Sequence, residues 1–258
     1  MKENPFEDIA AKSDIDIADI LKTLQEKSEF KKPEKRTEKW DRLEKLWDEF
    51  VKLAEKHDLE GMIRCLNSIL AIDPKNLGAF RAKGITLVLL DKNEESLALL
   101  DQVLKMEPKD IDALFYKGVA LSDLKRNEEA LACYEGVLKM DPKDLKAWYN
   151  KGMMLAKLAR NDEVVACFEE VLKIDPKNLD ALFYKGLTLS TLNREEEALA
   201  CYDELLDGDP ADFIALRSKG GVLFTLHRYE EALACYDKVL KHGNDHIALY
   251  GKGLTLSG

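Results

Sequence analysis

The sequence predicts an all-α solenoid of stacked helical hairpins, and three observations carry that prediction. First, Gly preceded by Lys recurs at Gly84, Gly118, Gly152, Gly186, Gly220 and Gly253, at a spacing of 34 residues that shortens to 33 at the last step. Second, an acid followed by proline recurs at Pro74, Pro108, Pro142, Pro176 and Pro210, again 34 apart. Third, inside each period the apolar residues return at helical intervals twice, with a polar break between. Two landmarks that stay in phase over five periods define a repeat, and the fold is the fold of one unit multiplied.

Residues 111–144 serve as the type unit. Leu114, Val119, Leu121 and Leu124 space apolar groups at helical intervals, which predicts a first helix. Lys125 to Asn127 interrupt the pattern, and Ala130, Leu131, Tyr134, Val137, Leu138 and Met140 resume it as a second helix. Glu128 and Glu129 open that helix at the positive end of its dipole, and Lys139 stands near the negative end. Pro142 ends it, because proline lacks the amide and clashes with the preceding turn. A hairpin of this size leaves an uncovered face on each helix, so stability requires stacking on the next copy.

The unit resembles the tetratricopeptide repeat. Counted from Leu77, Ile111, Leu145, Leu179 and Phe213, position 4 is Phe80, Leu114, Trp148, Leu182 and Leu216, and position 8 is glycine in all five. Position 20 reads Ser96, Ala130, Val164, Ala198 and Ala232; position 24 reads Leu100, Tyr134, Phe168, Tyr202 and Tyr236. Small residues at 8 and 20 let the two helices approach, and the large residue at 24 fills the remaining gap. The Lys-Gly form of the unit resembles repeats of archaeal members of the family. The resemblance implies a right-handed superhelix whose first helices line the concave face.

The repeats are assigned to 77–110, 111–144, 145–178, 179–212 and 213–245, within a solenoid spanning 39–258. A divergent unit at 43–76 keeps the phase through Leu46, Leu53, Met62, Leu66 and Ile69, with Phe50 in place of the glycine. A partial unit at 246–258 supplies only a first helix, leaving Leu249 and Leu256 with little expected cover. Either the chain is a piece of a longer array or that end pairs with something, including a second copy. Residues 1–38 fall outside the period. Ile17, Ile20, Leu21 and Leu24 predict an amphipathic helix over 14–28, capped by Ser13, and the charged stretch around Pro33 reads as a solvated linker.

Composition sets further bounds. The chain of 258 residues carries 39 basic and 49 acidic side chains, a formal charge of −10. That charge offers phosphate backbones no general attraction, so no nucleic-acid partner is expected. Apolar runs such as Leu87 to Leu90 fall far short of the ~18 residues of a membrane span. The first ten residues carry acids where a secretory signal would carry a basic start and an apolar stretch, so a cytoplasmic protein with no membrane association is expected.

Residues that invite chemistry have structural readings. Cys65, Cys133, Cys167, Cys201 and Cys235 all fall at position 23. Equivalent positions in stacked repeats stand roughly 10 Å apart, too far for disulfides, so the thiols are read as packing residues. His242 and His246 have the spacing of two ligands on one helix, but Gly243 and Asn244 lie between them and no further ligand set completes a metal site. No catalytic residues, no cofactor and no metal are expected. The lysine at position 7 recurs at Lys83, Lys117, Lys151, Lys185, Lys219 and Lys252. It is expected to pack its stem and pair with an acid at position 19 or 31 of a neighbouring helix.

By the resemblance, positions 2, 5, 6, 9, 12 and 13 point into the concave groove. Position 5 supplies Arg81, Phe115, Tyr149 and Phe183; position 6 supplies Tyr116, Asn150 and Tyr184; position 9 supplies Val119, Met153 and Leu187. Even ~50 Å² exposed from each of the eight apolar or aromatic groups would total ~400 Å², about the largest apolar patch a soluble monomer shows. The alternative is that curvature lets these side chains cover one another. The favoured expectation is a protein or peptide partner, extended or as an amphipathic helix, anchored by the aromatics and oriented by Arg81, Asn150 and Lys157. Position 9 is apolar throughout, so the family's clamp for a terminal carboxylate is not reproduced. The chain is therefore read as a non-catalytic adaptor, with self-assembly through exposed solenoid ends as the alternative.

Overall fold

The computed structural model describes residues 37–257, and the helix expected over 14–28 lies outside them. The described residues form thirteen helices and no strand, and divide into two compact units, one up to Asn150 and one from Lys151. The first unit holds α1 (Glu38–Glu55), α2 (Leu59–Ile72), α3 (Leu77–Leu89), α4 (Asn93–Met106), α5 (Ile111–Asp123) and α6 (Asn127–Met140). The unit boundary falls within α7 (Leu145–Lys157). The second unit continues with α8 (Asn161–Ile174), α9 (Leu179–Thr191), α10 (Glu195–Gly208), α11 (Phe213–Thr225), α12 (Tyr229–Leu240) and α13 (His246–Ser257).

Each unit is built the same way. A first helix packs on its own second helix, the second helix packs on the next first helix, and successive first helices touch: α3 on α5 in the first unit, α9 on α11 and α11 on α13 in the second. First helices begin at an Asx residue at position 34. Asn76, Asp110, Asn178 and Asp212 accept hydrogen bonds from backbone N–H groups three residues on, at 2.8–2.9 Å, and Asp144 and Asp245 cap α7 and α13 alike. Each such oxygen satisfies an amide that the helix itself leaves open. Second helices use another device. The residue at position 15 is His57, Asp91, Lys125, Ala159, Asn193 or His227, each left-handed with φ between 54° and 60°. No glycine stands at any of these turns. Four of the following arginines, Arg126, Arg160, Arg194 and Arg228, then grip the glutamate three residues later through two bonds of 2.6–2.8 Å.

The close approach of the paired helices explains the glycine ladder. A Cβ on Gly118 would stand 2.9 Å from the Tyr134 ring, and one on Gly220 would stand 2.8 Å from that of Tyr236. Glycine inside a helix costs about 1 kcal/mol against alanine, offset here by aromatic rings buried across the helix pair. The thiols join the same layer. All five cysteines are buried and unbridged, and the Cβ of Cys133, Cys167 and Cys201 lies against Gly118, Gly152 and Gly186. Burial pushes the Cys65 and Cys133 thiols up to about 11, so both stay protonated at neutral pH.

The position-7 lysines pack their stems as expected, but their partner lies elsewhere. Lys117 pairs with Asp101 at 2.6 Å and Lys185 with Glu169 at 3.1 Å; Lys219 pairs with Asp203 and Lys252 with Asp237. Every one of those acids occupies position 25 of the preceding second helix. Positions 19 and 31 lie at that helix's two ends, whereas position 25 sits at its middle, where the next first helix crosses it.

Candidate functional site

The arginine at position 5 has a specific partner. Arg81 on α3 donates from Nε to Asp110 Oδ2 at 2.8 Å, and the side chains are 1% and 0% exposed. Asp110 is also the N-cap of α5, accepting from the Ala113 amide at 2.9 Å, so one carboxylate caps a helix and ties it to its neighbour. The same construction recurs in the second unit. Arg217 Nη1 donates to Asp245 Oδ2 at 2.9 Å, with both side chains about a quarter exposed, and Asp245 caps α13. Hydrogen bonds from the Ala248 amide, followed by Arg217, hold the Asp245 carboxyl below its ordinary range. Asp144 is the counterpart without an arginine, because position 5 of the preceding repeat is Phe115. Burial raises its carboxyl above the ordinary range.

The side chains expected in the groove divide into two sets. In the first unit Phe115, Tyr116 and Val119 on α5 are buried, with Phe115 edge-on to Tyr116 at 5.3 Å and to Tyr134 at 5.6 Å. Arg81 is committed to Asp110. Asn150 is buried and donates to the Lys146 carbonyl at 2.8 Å, a bond inside its own helix. Tyr149 is half-exposed. In the second unit Met153 is buried, while Lys157, Phe183, Tyr184 and Leu187 are half-exposed. The ~400 Å² strip expected from the sequence is therefore shortened: of the eight apolar or aromatic groups, Phe115, Tyr116, Val119 and Met153 are closed. At position 5, Phe115 and Phe183 lean on position 24 of their own second helix, and Tyr184 at position 6 leans on that of the preceding repeat, where Phe168 stacks at 5.6 Å.

What stays open lies mainly on α9 and α11. Phe183 and Tyr184 pack edge-on at 5.3 Å, with Leu187 one turn further. On α11, position 9 is Gly221, where other repeats place Ile85, Val119, Met153 and Leu187. A Cβ there would meet only the Tyr236 hydroxyl, at 4.0 Å. The glycine and Ser218 leave a low ledge beside the α9 rings, flanked by Arg217. The sequence carried this signal as a gap in the apolar ladder at position 9. A second open surface is on α13, where Ile247, Leu249, Tyr250, Leu254 and Leu256 are exposed and a Cβ on Gly253 would meet nothing within 4 Å. Among the described residues there is no group of three or more potential metal ligands, and no helix is long and apolar enough to cross a membrane.

Helical hairpins of 34 residues, stacked through a glycine against an aromatic, define an α-solenoid repeat protein. The chain belongs to the tetratricopeptide repeat family: models of that repeat match residues 87–158, 145–178, 167–200 and 185–247. Proteins of the family serve as protein-interaction scaffolds. A search of curated proteins finds no match. Among solved structures the fold is similar to YrrB, described as a TPR protein with an unusual peptide-binding site. The two share 20% identity over 73% of this chain and 97% of that one, with a TM-score of 0.65. A tetratricopeptide repeat protein from Parabacteroides merdae shares 19% identity over 83% of this chain and 85% of its own, with a TM-score of 0.68. MamA from Desulfovibrio magneticus RS-1 shares 22% identity over 65% and 94%, with a TM-score of 0.62. At these identities the likeness is one of fold.

Proposed function

We propose that the chain is a non-catalytic adaptor that holds a peptide segment or amphipathic helix against the first-helix face of its second unit. One observation carries the reading: the Phe183, Tyr184 and Leu187 cluster stays half-open beside a ledge made by Gly221. Elsewhere in the array a large side chain fills that position. Exposed aromatic rings give contact area at low entropic cost, and a glycine beside them admits a ligand backbone. Arg217, held by Asp245, adds a positive edge. YrrB's description as a peptide-binding member of the same fold is consistent with this reading and does not identify the ligand.

The test selects peptides from a display library on the full chain and measures the best binder by calorimetry. Gly221→Gln, which fills the ledge without a clash, and Phe183→Ala should each weaken it by about tenfold or more, the ~1.4 kcal/mol expected of a well-packed contact. Binders whose affinity neither substitution changes would remove the assignment. The exposed face of α13 supports a second reading, self-association through that helix. Light scattering across a dilution series tests it, and a mass that stays monomeric at every concentration sinks it.

A further inference from the structure

Position 7 carries a charge reversal. Lys83, Lys117, Lys151, Lys185, Lys219 and Lys252 stand there on the later first helices, and Glu49 stands there on α1. Position 7 is where a second helix crosses the first helix that follows it. Lys117 meets Asp101 on α4, Lys185 meets Glu169 on α8, and Lys219 and Lys252 meet Asp203 on α10 and Asp237 on α12. Among the described residues no second helix precedes α1, and Glu49 is exposed and makes no ion pair.

The surface around Glu49 has room for a side chain. A cavity of about 150 Å³ opens between α1 and α2, with Leu46, Leu53 and Cys65 as its apolar wall and Glu49, Arg64 and Ser68 at its exposed rim. A space of that size takes about one benzene ring, and so one leucine or phenylalanine side chain. The cavity coincides with further breaks in the repeat. Position 19 is glutamate and position 22 is alanine in each of the five following repeats, against Gly61 and Arg64 here. Arg64 reaches toward Asp58, at 3.9 Å, which leaves Glu49 as the open charge of the rim.

We propose that the α1–α2 face docks an amphipathic helix of a partner protein, laid as a second helix lies on the first helix after it, with an apolar side chain in the cavity and a lysine or arginine on Glu49. The charge decides between occupants. From α4 onward the second helices of this chain carry Asp101, Glu135, Glu169, Asp203 and Asp237 at the crossing position, so a second copy would set an acid against Glu49. The proposal is independent of the peptide-binding reading of α9 and α11, which is measured at Phe183 and Gly221.

The test uses two labelled peptides of α4, residues 93–106, one with the natural Asp101 and one with Asp101→Lys, titrated into the full chain by fluorescence anisotropy. The Asp101→Lys peptide should bind the wild-type chain about three- to tenfold more tightly than the natural one, the range for a part-exposed charge contact turned from repulsion to attraction. In Glu49→Lys the order should reverse. Ser68→Trp, which fills the cavity from its exposed rim, should weaken the Asp101→Lys peptide by about tenfold or more. Circular dichroism confirms that both variants keep their helicity. No binding by the Asp101→Lys peptide, a preference that persists in Glu49→Lys, or undiminished binding to Ser68→Trp overturns the proposal, because any contact then lies elsewhere, as on the open face of α13. Tighter binding of the natural peptide to the wild-type chain also overturns it, and would mark the face as a contact between copies.

Discussion

Replacing Arg81 by methionine keeps most of the aliphatic volume and removes the guanidinium. It takes the Arg81 guanidinium away from Asp110, whose side chain is 0% exposed and which also accepts from the Ala113 amide. Breaking a buried ion pair from one side costs about 3–5 kcal/mol, because the remaining charge stays desolvated. Arg217→Met removes the same contact from the same place in the repeat, but at a bridge about a quarter exposed. Water replaces the lost partner there, and the expected cost is about 0–1 kcal/mol. The two variants differ only in what surrounds the pair. Urea denaturation followed by circular dichroism reads both, fitted with a repeat-array scheme because neighbouring repeats can unfold separately. Adding Asp110→Asn to Arg81→Met should recover a large part of the loss, since asparagine caps first helices equally well at Asn76 and Asn178. Equal losses at Arg81 and Arg217, or no recovery in the double variant, would refute the reasoning.

Three further outcomes follow from single side chains. The Tyr134 hydroxyl is buried without a hydrogen-bond partner, whereas that of Tyr202 pairs with Ser218. By chemical denaturation, Tyr134→Phe should therefore be neutral or stabilising, and Tyr202→Phe should cost about 0.5–1.5 kcal/mol. Burial raises the Asp144 carboxyl, so its proton is held more tightly folded than unfolded. The deficit this creates is present above the folded pKa and disappears once the pH falls below the unfolded value. Asp144→Asn should accordingly raise Tm at neutral pH and give no difference in acid. Ala159 adopts φ 57° with no side-chain hydrogen bond to favour it, and Ala159→Asn should raise stability by about 0.5–1 kcal/mol in the same denaturation experiment, since asparagine tolerates that region better.

The helical hairpin was legible because two ladders of residues mark it, a glycine where helices touch and a proline where one ends. The caps were less so. The Asx ladder at position 34 lies in plain view beside each proline, but its second role, receiving Arg81 or Arg217 from the preceding first helix, depends on a reach between helices that a wheel drawn for one helix omits. The wheel therefore turned Arg81 outward, toward a ligand. The partner of the position-7 lysines was misplaced for the same reason: the wheel gives a direction, and only the crossing of two helices selects position 25 over 19 or 31. The left-handed turn at position 15 left almost no trace, since Lys125, Ala159 and two histidines occupy it alongside Asp91 and Asn193.

The candidate site sharpens that limit. DALFYKG occurs twice, at residues 112–118 and 180–186, and is closed once and half-open once, so no property of those seven residues determines whether they meet a partner. The residue that breaks the repeat there is Gly221 on α11, at the position where other first helices carry Ile85, Val119, Met153 and Leu187. A repeat array holds its backbone geometry fixed while single positions vary, so departures from the pattern mark recognition better than the pattern itself. By that criterion the informative position in this chain is the glycine at position 9 of α11, with the half-exposed Arg217 on the same helix. The aromatic pairs, though more conspicuous in the sequence, are first of all the packing of one helix on the next.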